Sequence, residues 1–220
     1  MPMGDAKLDL LVYGASGHAK VIIDAVIKEG KHRIVAIIDD DPRLWKDEFC
    51  GYPVIGGGNV LKDKMYRGSR LILAIGDNAA RKKLWDAIKE LGYELACAVH
   101  PSAQIGRNVF IGVGTAIMAN TAINSGTKIG ENAIVNTGAT VDHDCLIGEF
   151  THISPGAHLG GNVEIGELSH IGIGASVIQG VKIGKGVIIG AGAAVVDDIP
   201  DNVTAVGVPA RVIKKHGDLT

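Results

Sequence analysis

At 220 residues and 46% hydrophobic content, the chain has room for a real core in one large or two modest domains. A formal net charge of −2 gives no electrostatic case for nucleic acid or an anionic membrane, and no apolar run approaches the roughly 20 residues that span a bilayer. Cys50, Cys97 and Cys145 are odd in number and scattered, which argues against a disulfide framework or a zinc knuckle, and MPMGDAKLDL lacks a secretory core, so a cytoplasmic protein is expected.

Residues 8–13, LDLLVY, are an apolar run that ends in Gly14-Ala15-Ser16-Gly17-His18. A helical pattern follows over 19–29, with Val21, Ile22, Ala25 and Val26 on one face and Gly30 as its stop. RIVAIIDDDP supplies a buried strand over 34–38 that runs into Asp39, Asp40 and Asp41. After Gly56, Gly57 and Gly58, a strand over 70–75 ends in Gly76-Asp77-Asn78, and a helix is expected over 79–91 with Gly92 closing it. Strands alternating with helices predict a small parallel α/β sheet with right-handed crossovers. Ligands of such sheets sit beyond the strands' carboxyl ends, here 14–18, 39–40 and 76–78. Glycines and a helix N-terminus suit a phosphate there, but G-x-x-G falls short of the dinucleotide fingerprint. A nucleotide or nucleotide-sugar and a plain strand-to-helix turn both remain open.

From residue 105 to 195 an aliphatic residue recurs every six positions: Ile105, Ile111, Ile117, Ile123, Ile129, Val135, Val141, Ile147, Ile153, Leu159, Ile165, Ile171, Val177, Ile183, Ile189 and Val195. Four residues after each comes a small or β-branched one, as in Thr115, Thr127, Ala139, Cys145 and Ala157. This period is the signature of a hexapeptide β-helix, a triangular prism in which three hexads make one coil. The aliphatic and small positions point inward and the residue before each aliphatic points out. A 4% aromatic content suits so narrow a core. Pro209, in the Gly207-Val208-Pro209-Ala210-Arg211 ending, is expected to end the stack near Val206 and protect its edge.

One hexad, Val141-Asp142-His143-Asp144-Cys145-Leu146, carries chemistry. A carboxylate beside an imidazole orients it and raises its basicity, as a general base requires; a solvated turn histidine is the bland alternative. One coil on, Gly161 falls over His143 and offers a backbone N–H as an oxyanion donor. By the same arithmetic His170 stacks over His152, His158 points outward in a different column, and with His143 these residues mark the middle third of the prism as its polar site. Cys145 takes an inward position and reads as core. Phe110 and Leu146 point outward in one column, as an interface would.

The prism, VDHDCLIGEFTHISPGAHLGGNV and GVPAR resemble the left-handed β-helix acyltransferases, and YGASGHAK, IIDDD and AIGDN extend the likeness over almost the whole chain. Within that group the chain is similar to the bacterial nucleotide-sugar N-acetyltransferases, which acetylate the 4-amino group of UDP-4-amino-4,6-dideoxy sugars or of GDP-perosamine. The resemblance implies a small Rossmann-like nucleotide-sugar domain over 1–98 and a left-handed parallel β-helix acetyltransferase domain over 99–220. It implies acetyl-CoA as co-substrate, no metal, and a homotrimer with acetyl-CoA between prisms. It casts His143 as general base, Asp144 as its enhancer (where the family often has Glu), and Gly161 as oxyanion donor. His152 would contact the thioester region, Ile173 and Ala191 the pantetheine arm. Ser16, Gly17, His18, Asp39, Asp40 and Gly76 would hold the nucleotide-sugar. A sugar O-acetyltransferase of the sialic acid type is the nearest alternative; a zinc hydrolyase, lacking a short His-x4-His pair, and a silent binding scaffold are more distant ones.

Overall fold

The computed structural model describes residues 7–217, so most of the N-terminal stretch read for a signal and the last residues of the tail lie outside the described residues. The chain divides into two compact units, Met1–Pro101 and Ser102–Thr220.

The first unit is built on β1 (Leu8–Tyr13), the middle strand of a parallel sheet with β2 (His32–Ile38) and β3 (Arg70–Leu73) on either side. A strand paired on both edges and covered on both faces needs the unbroken apolar run that β1 has, and Leu10, Leu11 and Val12 are fully buried. Isolated parallel bridges at Ile37–Val54 and Leu71–Leu95 widen the sheet at both sides. Helix α1 (Gly17–Glu29) makes the β1-to-β2 crossover, buries Ala19, Ile22, Ile23, Ala25 and Val26, and ends at Gly30 in the left-handed conformation with φ 76°. Helix α2 (Asn78–Ile88) follows β3, and the final turn expected as helix is a tighter 3-10 turn, Lys89–Leu91. The third strand is also shorter than expected. Ala74 N–H makes a last bond to the Tyr13 carbonyl at 2.7 Å, and beyond it the carbonyls of Ile75 and Gly76 accept from Arg81.

The second unit is the prism. Each hexad contributes a two-residue strand, and parallel pairing carries Ala122 to Thr140, Lys128 to Leu146 and Ile134 to His152, a coil of 18 residues. Three faces result, one through Thr140 and His158, one through Phe110, Lys128 and Leu146, and one through Ile134, His152 and His170. The repeated aliphatics from Ile117 on are buried, whereas Ile105, at the open first coil, is 41% exposed. Turn positions adopt left-handed backbone, mostly through Asn and Gly, and Asp144 joins them with φ 57°. Inside the prism, polar side chains at the small positions are satisfied by the neighbouring coil. The Thr115, Thr127 and Ser169 hydroxyls donate to the carbonyls of Gly130, Asp142 and Gly184 at 2.8, 2.7 and 2.7 Å. Each coil buries its aliphatics only against its neighbours, so stability is shared along the stack.

The end of the prism corrects one expectation. Val203–Val206 adds a last parallel strand, and Pro209 lies in the turn that follows it. The edge itself is occupied by an antiparallel strand, Arg211–Lys215, whose exposed Arg211, Lys214 and Lys215 discourage further pairing. No helix among the described residues is long and apolar enough to cross a membrane.

Candidate active site

His143 stands at the corner between the Thr140 and Leu146 faces. Asp142 fixes that corner: its Oδ1 accepts from the His143 backbone N–H at 2.8 Å and from Asn124 Nδ2, one coil below, at 2.7 Å. These two donors hold the Asp142 carboxyl below its usual range, the Asn124 bond first. The left-handed turn at Asp144 swings its carboxylate back, and His143 Nδ1 donates to Asp144 Oδ2 at 2.9 Å. That bond, with the charges of Asp142 and Asp144, raises the imidazole above its ordinary 6.5. With Nδ1–H committed to a carboxylate, the neutral ring carries its lone pair on Nε2. Both side chains are more than half exposed, 53% and 61%.

Gly161 lies one coil above. A Cβ built there would meet His143 Nε2 at 2.6 Å and Cε1 at 2.7 Å, so only glycine leaves space for the ring in this position. The Gly161 N–H has no acceptor among the described residues, and its predecessor, Gly160, has no side chain to offer one. An imidazole lone pair and an uncommitted backbone donor are therefore side by side, as acyl transfer requires.

The remaining expected cofactor residues are elsewhere on the prism. His152 is on the face opposite the His143 corner, buried, with its ring edge-on to His170 at 4.9 Å between centroids. The Asn136 amide is oriented because its Oδ1 accepts from Thr137 N–H at 2.8 Å, so its Nδ2 donates to His152 Nε2 at 3.0 Å. His158 is on yet another face, against Thr140 Oγ1 at 2.9 Å. The histidines expected to mark one polar site are thus spread around the prism. Ile173 and Ala191 occupy a further corner; both are exposed, and the Ile173 carbonyl accepts from the Gly192 N–H at 2.8 Å. Cys145 is buried, as its inward position requires. Among the described residues no cluster of three or more His, Cys, Asp or Glu is arranged to hold a metal ion.

The strand ends of the first unit converge on one rim. Gly14, with φ 119°, allows β1 to pass close to β3, since a Cβ there would lie 2.8 Å from the Ala74 carbonyl. Ser16 and Gly17 are exposed at the mouth of α1, and the Ser16 side chain makes no capping bond. The Asp39 carboxylate ties the rim together, accepting from Ala15 N–H at 2.7 Å and Asp41 N–H at 2.9 Å. Asp40 accepts from the Tyr13 hydroxyl and the Gly58 N–H, each at 2.9 Å, and burial together with Asp40 pushes the Tyr13 phenol upward. Both carboxylates thus already tie neighbouring segments of the rim together.

Arg81 is a rim residue absent from the expectations above. It is 1% exposed and donates to the carbonyl of Ile75 at 2.7 Å and to Asn78 Oδ1 at 2.9 Å. Burial lowers its pKa to about 10, against the pull of Asp77. Burial and the Arg81 charge together depress His18 to about 4, so His18 meets the rim as a neutral ring beside Gly76. The available signal was periodicity: Asn78, Arg81 and Ile88 share the buried face of α2.

Residues 9–88 match the family model of the PglD N-terminal domain. A stretch of 116 residues is 37% identical to the UDP-N-acetylbacillosamine N-acetyltransferase of Bacillus subtilis (strain 168), covering 50% of this chain and 51% of that enzyme. The chain thus matches about half the length of this curated relative. PerB from Caulobacter crescentus, solved in complex with CoA and GDP-perosamine, is similar over 95% of this chain and 99% of its own, with 44% identity and a TM-score of 0.88. The acetyltransferase domain of PglB from Neisseria gonorrhoeae FA1090, solved with acetyl coenzyme A, covers 94% of this chain and 100% of its own, with 39% identity and a TM-score of 0.87.

Proposed function

This chain belongs to the sugar N-acetyltransferases of the left-handed β-helix type, and we propose that it transfers the acetyl group of acetyl-CoA directly to the 4-amino group of a nucleotide-linked amino-dideoxy sugar. The observation that carries the reading is the pairing of His143 Nε2 with Gly161, where a Cβ would come within 2.6 Å of that nitrogen. The neutral sugar amine attacks the thioester carbonyl carbon, and His143 Nε2 takes the proton released from nitrogen. The oxyanion forms against the Gly161 N–H. Collapse of the tetrahedral species breaks the carbon–sulfur bond, and the departing CoA thiolate leaves as thiol with the proton from His143. Asp144 holds the ring and steadies the imidazolium while it exists.

The nucleotide-sugar is assigned to the rim of the first unit, through Ser16, Gly17, His18, Asp39, Asp40 and Gly76. The exposed backbone at Ser16 and Gly17, at the N-terminus of α1, suits a diphosphate. Acetyl-CoA is assigned to His152, Ile173, Ala191 and Gly161. His143 and His152 are on opposite sides of one prism, which favours a site completed by a neighbouring copy. Phe110 and Leu146, 62% and 45% exposed in one column, give such a copy an apolar surface. We assign a homotrimer on these grounds.

The test is thiol release from acetyl-CoA in the presence of GDP- and UDP-linked 4-amino-4,6-dideoxy sugars, with the product examined by NMR. Formation of an amide at the 4-nitrogen is the expected result. Turnover only on hydroxyl sugars, giving a hydroxylamine-labile ester, would transfer the assignment to O-acetylation; no turnover on either would leave the catalytic reading without support.

A further inference from the structure

The buried thiol of Cys145 has a geometry that the reaction as written does not use. Its Sγ lies 3.2 Å from the carbonyl oxygen of Gly160 and 3.7 Å from that of His143. Gly160 O and Gly161 N–H belong to the same peptide unit. We propose that Cys145 is a positioning residue for acetyl transfer: by donating to the Gly160 carbonyl it holds the Gly160–Gly161 peptide so that the Gly161 N–H faces the reacting carbonyl. The inference rests on the reading of Gly161 as oxyanion donor.

A trans peptide is planar, with C=O and N–H pointing in opposite directions. A carbonyl drawn inward by a donor in the prism core therefore turns the following N–H outward. The coil below contains the same device with its outcome visible. Thr127 Oγ1 donates to the Asp142 carbonyl at 2.7 Å, and the next N–H, that of His143, turns outward to the Asp142 carboxylate at 2.8 Å. Thr115 and Ser169 make the equivalent inward bond to carbonyls fifteen residues on, as Cys145 does. At the Cys145 position the outward N–H follows a glycine, so no side chain of the preceding residue covers it. Burial pushes the thiol pKa up, which keeps its proton in place as the donor.

The substitutions that test this are Cys145→Thr and Cys145→Val, equal in shape and different only in the donor. Both residue types already occupy the same inward position, Thr127 one coil below and Val163 one coil above, so the prism accommodates each. Cys145→Thr should keep kcat within about twofold of wild type. Cys145→Val should lower it about tenfold, a fraction of the roughly 10²–10³ that follows outright loss of an oxyanion donor. KM for the nucleotide-sugar and the pH at which activity rises should not move, because neither the rim residues nor the His143 side chain is altered. Equal kcat values for the two variants, whether both normal or both impaired, would overturn the proposal. If either variant fails to fold, Cys145→Ser against Cys145→Ala makes the same comparison. Crystal structures of the variants separate this from the parent reading: a Gly160 carbonyl still pointing inward in Cys145→Val overturns the positioning role whatever the activity. Absence of amine acetylation by the wild type would instead count against the parent reading.

Discussion

Adjacent glycines at 160 and 161 should respond to alanine in opposite ways. A Cβ at Gly160 would lie 2.7 Å from the backbone nitrogen of Gln179 and 3.0 Å from its Cα, atoms of the next coil that cannot move without breaking the stack. A Cβ at Gly161 would lie 2.6 Å from Nε2 of His143, the tip of a side chain that is 53% exposed and free to swing outward. Gly160→Ala should therefore cost about 1–3 kcal/mol, as overpacking does, and lower the melting temperature by roughly 2–4 °C per kcal/mol for a chain of this size. Gly161→Ala should cost under about 0.5 kcal/mol, as substitutions that strain nothing do. Its activity should nevertheless fall about 10²-fold or more, since even a 1 Å misplacement of a reacting group can cost that much. Thermal melts and steady-state kinetics on both variants provide the assay. A Gly161→Ala enzyme with wild-type kcat would refute the claim that His143 and Gly161 work as one site; a Gly160→Ala protein with unchanged stability would refute the stacking argument.

Asp144→Asn replaces the carboxylate that raises His143 with a neutral amide acceptor, so the pH at which kcat rises should move to lower values, with a smaller plateau; an unshifted profile would mean that the Asp144 charge does not act on the base. His18 titrates near 4 in the folded chain against 6.5 when unfolded, so the unfolded state binds more protons between those values and stability falls as pH drops from 6.5 to 4. At 1.36 kcal/mol per unit the loss is about 3 kcal/mol, and urea titrations of His18→Gln should lack that part of the acid slope. Arg81→Met removes a buried donor to the Ile75 carbonyl and to Asn78 Oδ1, and should destabilise the first unit by about 1–3 kcal/mol. The same change should raise the His18 pKa, measurable by NMR, because the Arg81 charge helps to depress it.

The prism was legible because its physics repeats: each coil needs an aliphatic at one phase and a small residue at another, so an error at one hexad would be exposed by the next. His143 was legible through its acidic neighbours and Gly161 through the coil length. One prism alone does not bring His152 and His158 beside His143. Hexad phase assigns those residues to separate faces. On the rim, Asp39 and Asp40 read as candidate nucleotide-sugar ligands; that they also bond backbone N–H groups brought in from residues 15 and 58 is a closure no local pattern announces. Arg81 was passed over because a cation in a helix is ordinarily taken as surface, although its spacing from Asn78 and Ile88 put it on the buried face.

The most direct measurement is acetyl transfer by His143→Ala, with acetyl-CoA and nucleotide-sugar binding followed in parallel by calorimetry. Unchanged binding with transfer reduced about 10²–10⁴-fold, the span expected for loss of a general base, is the predicted result. Near wild-type transfer by the variant would contradict the assignment of His143 as the base.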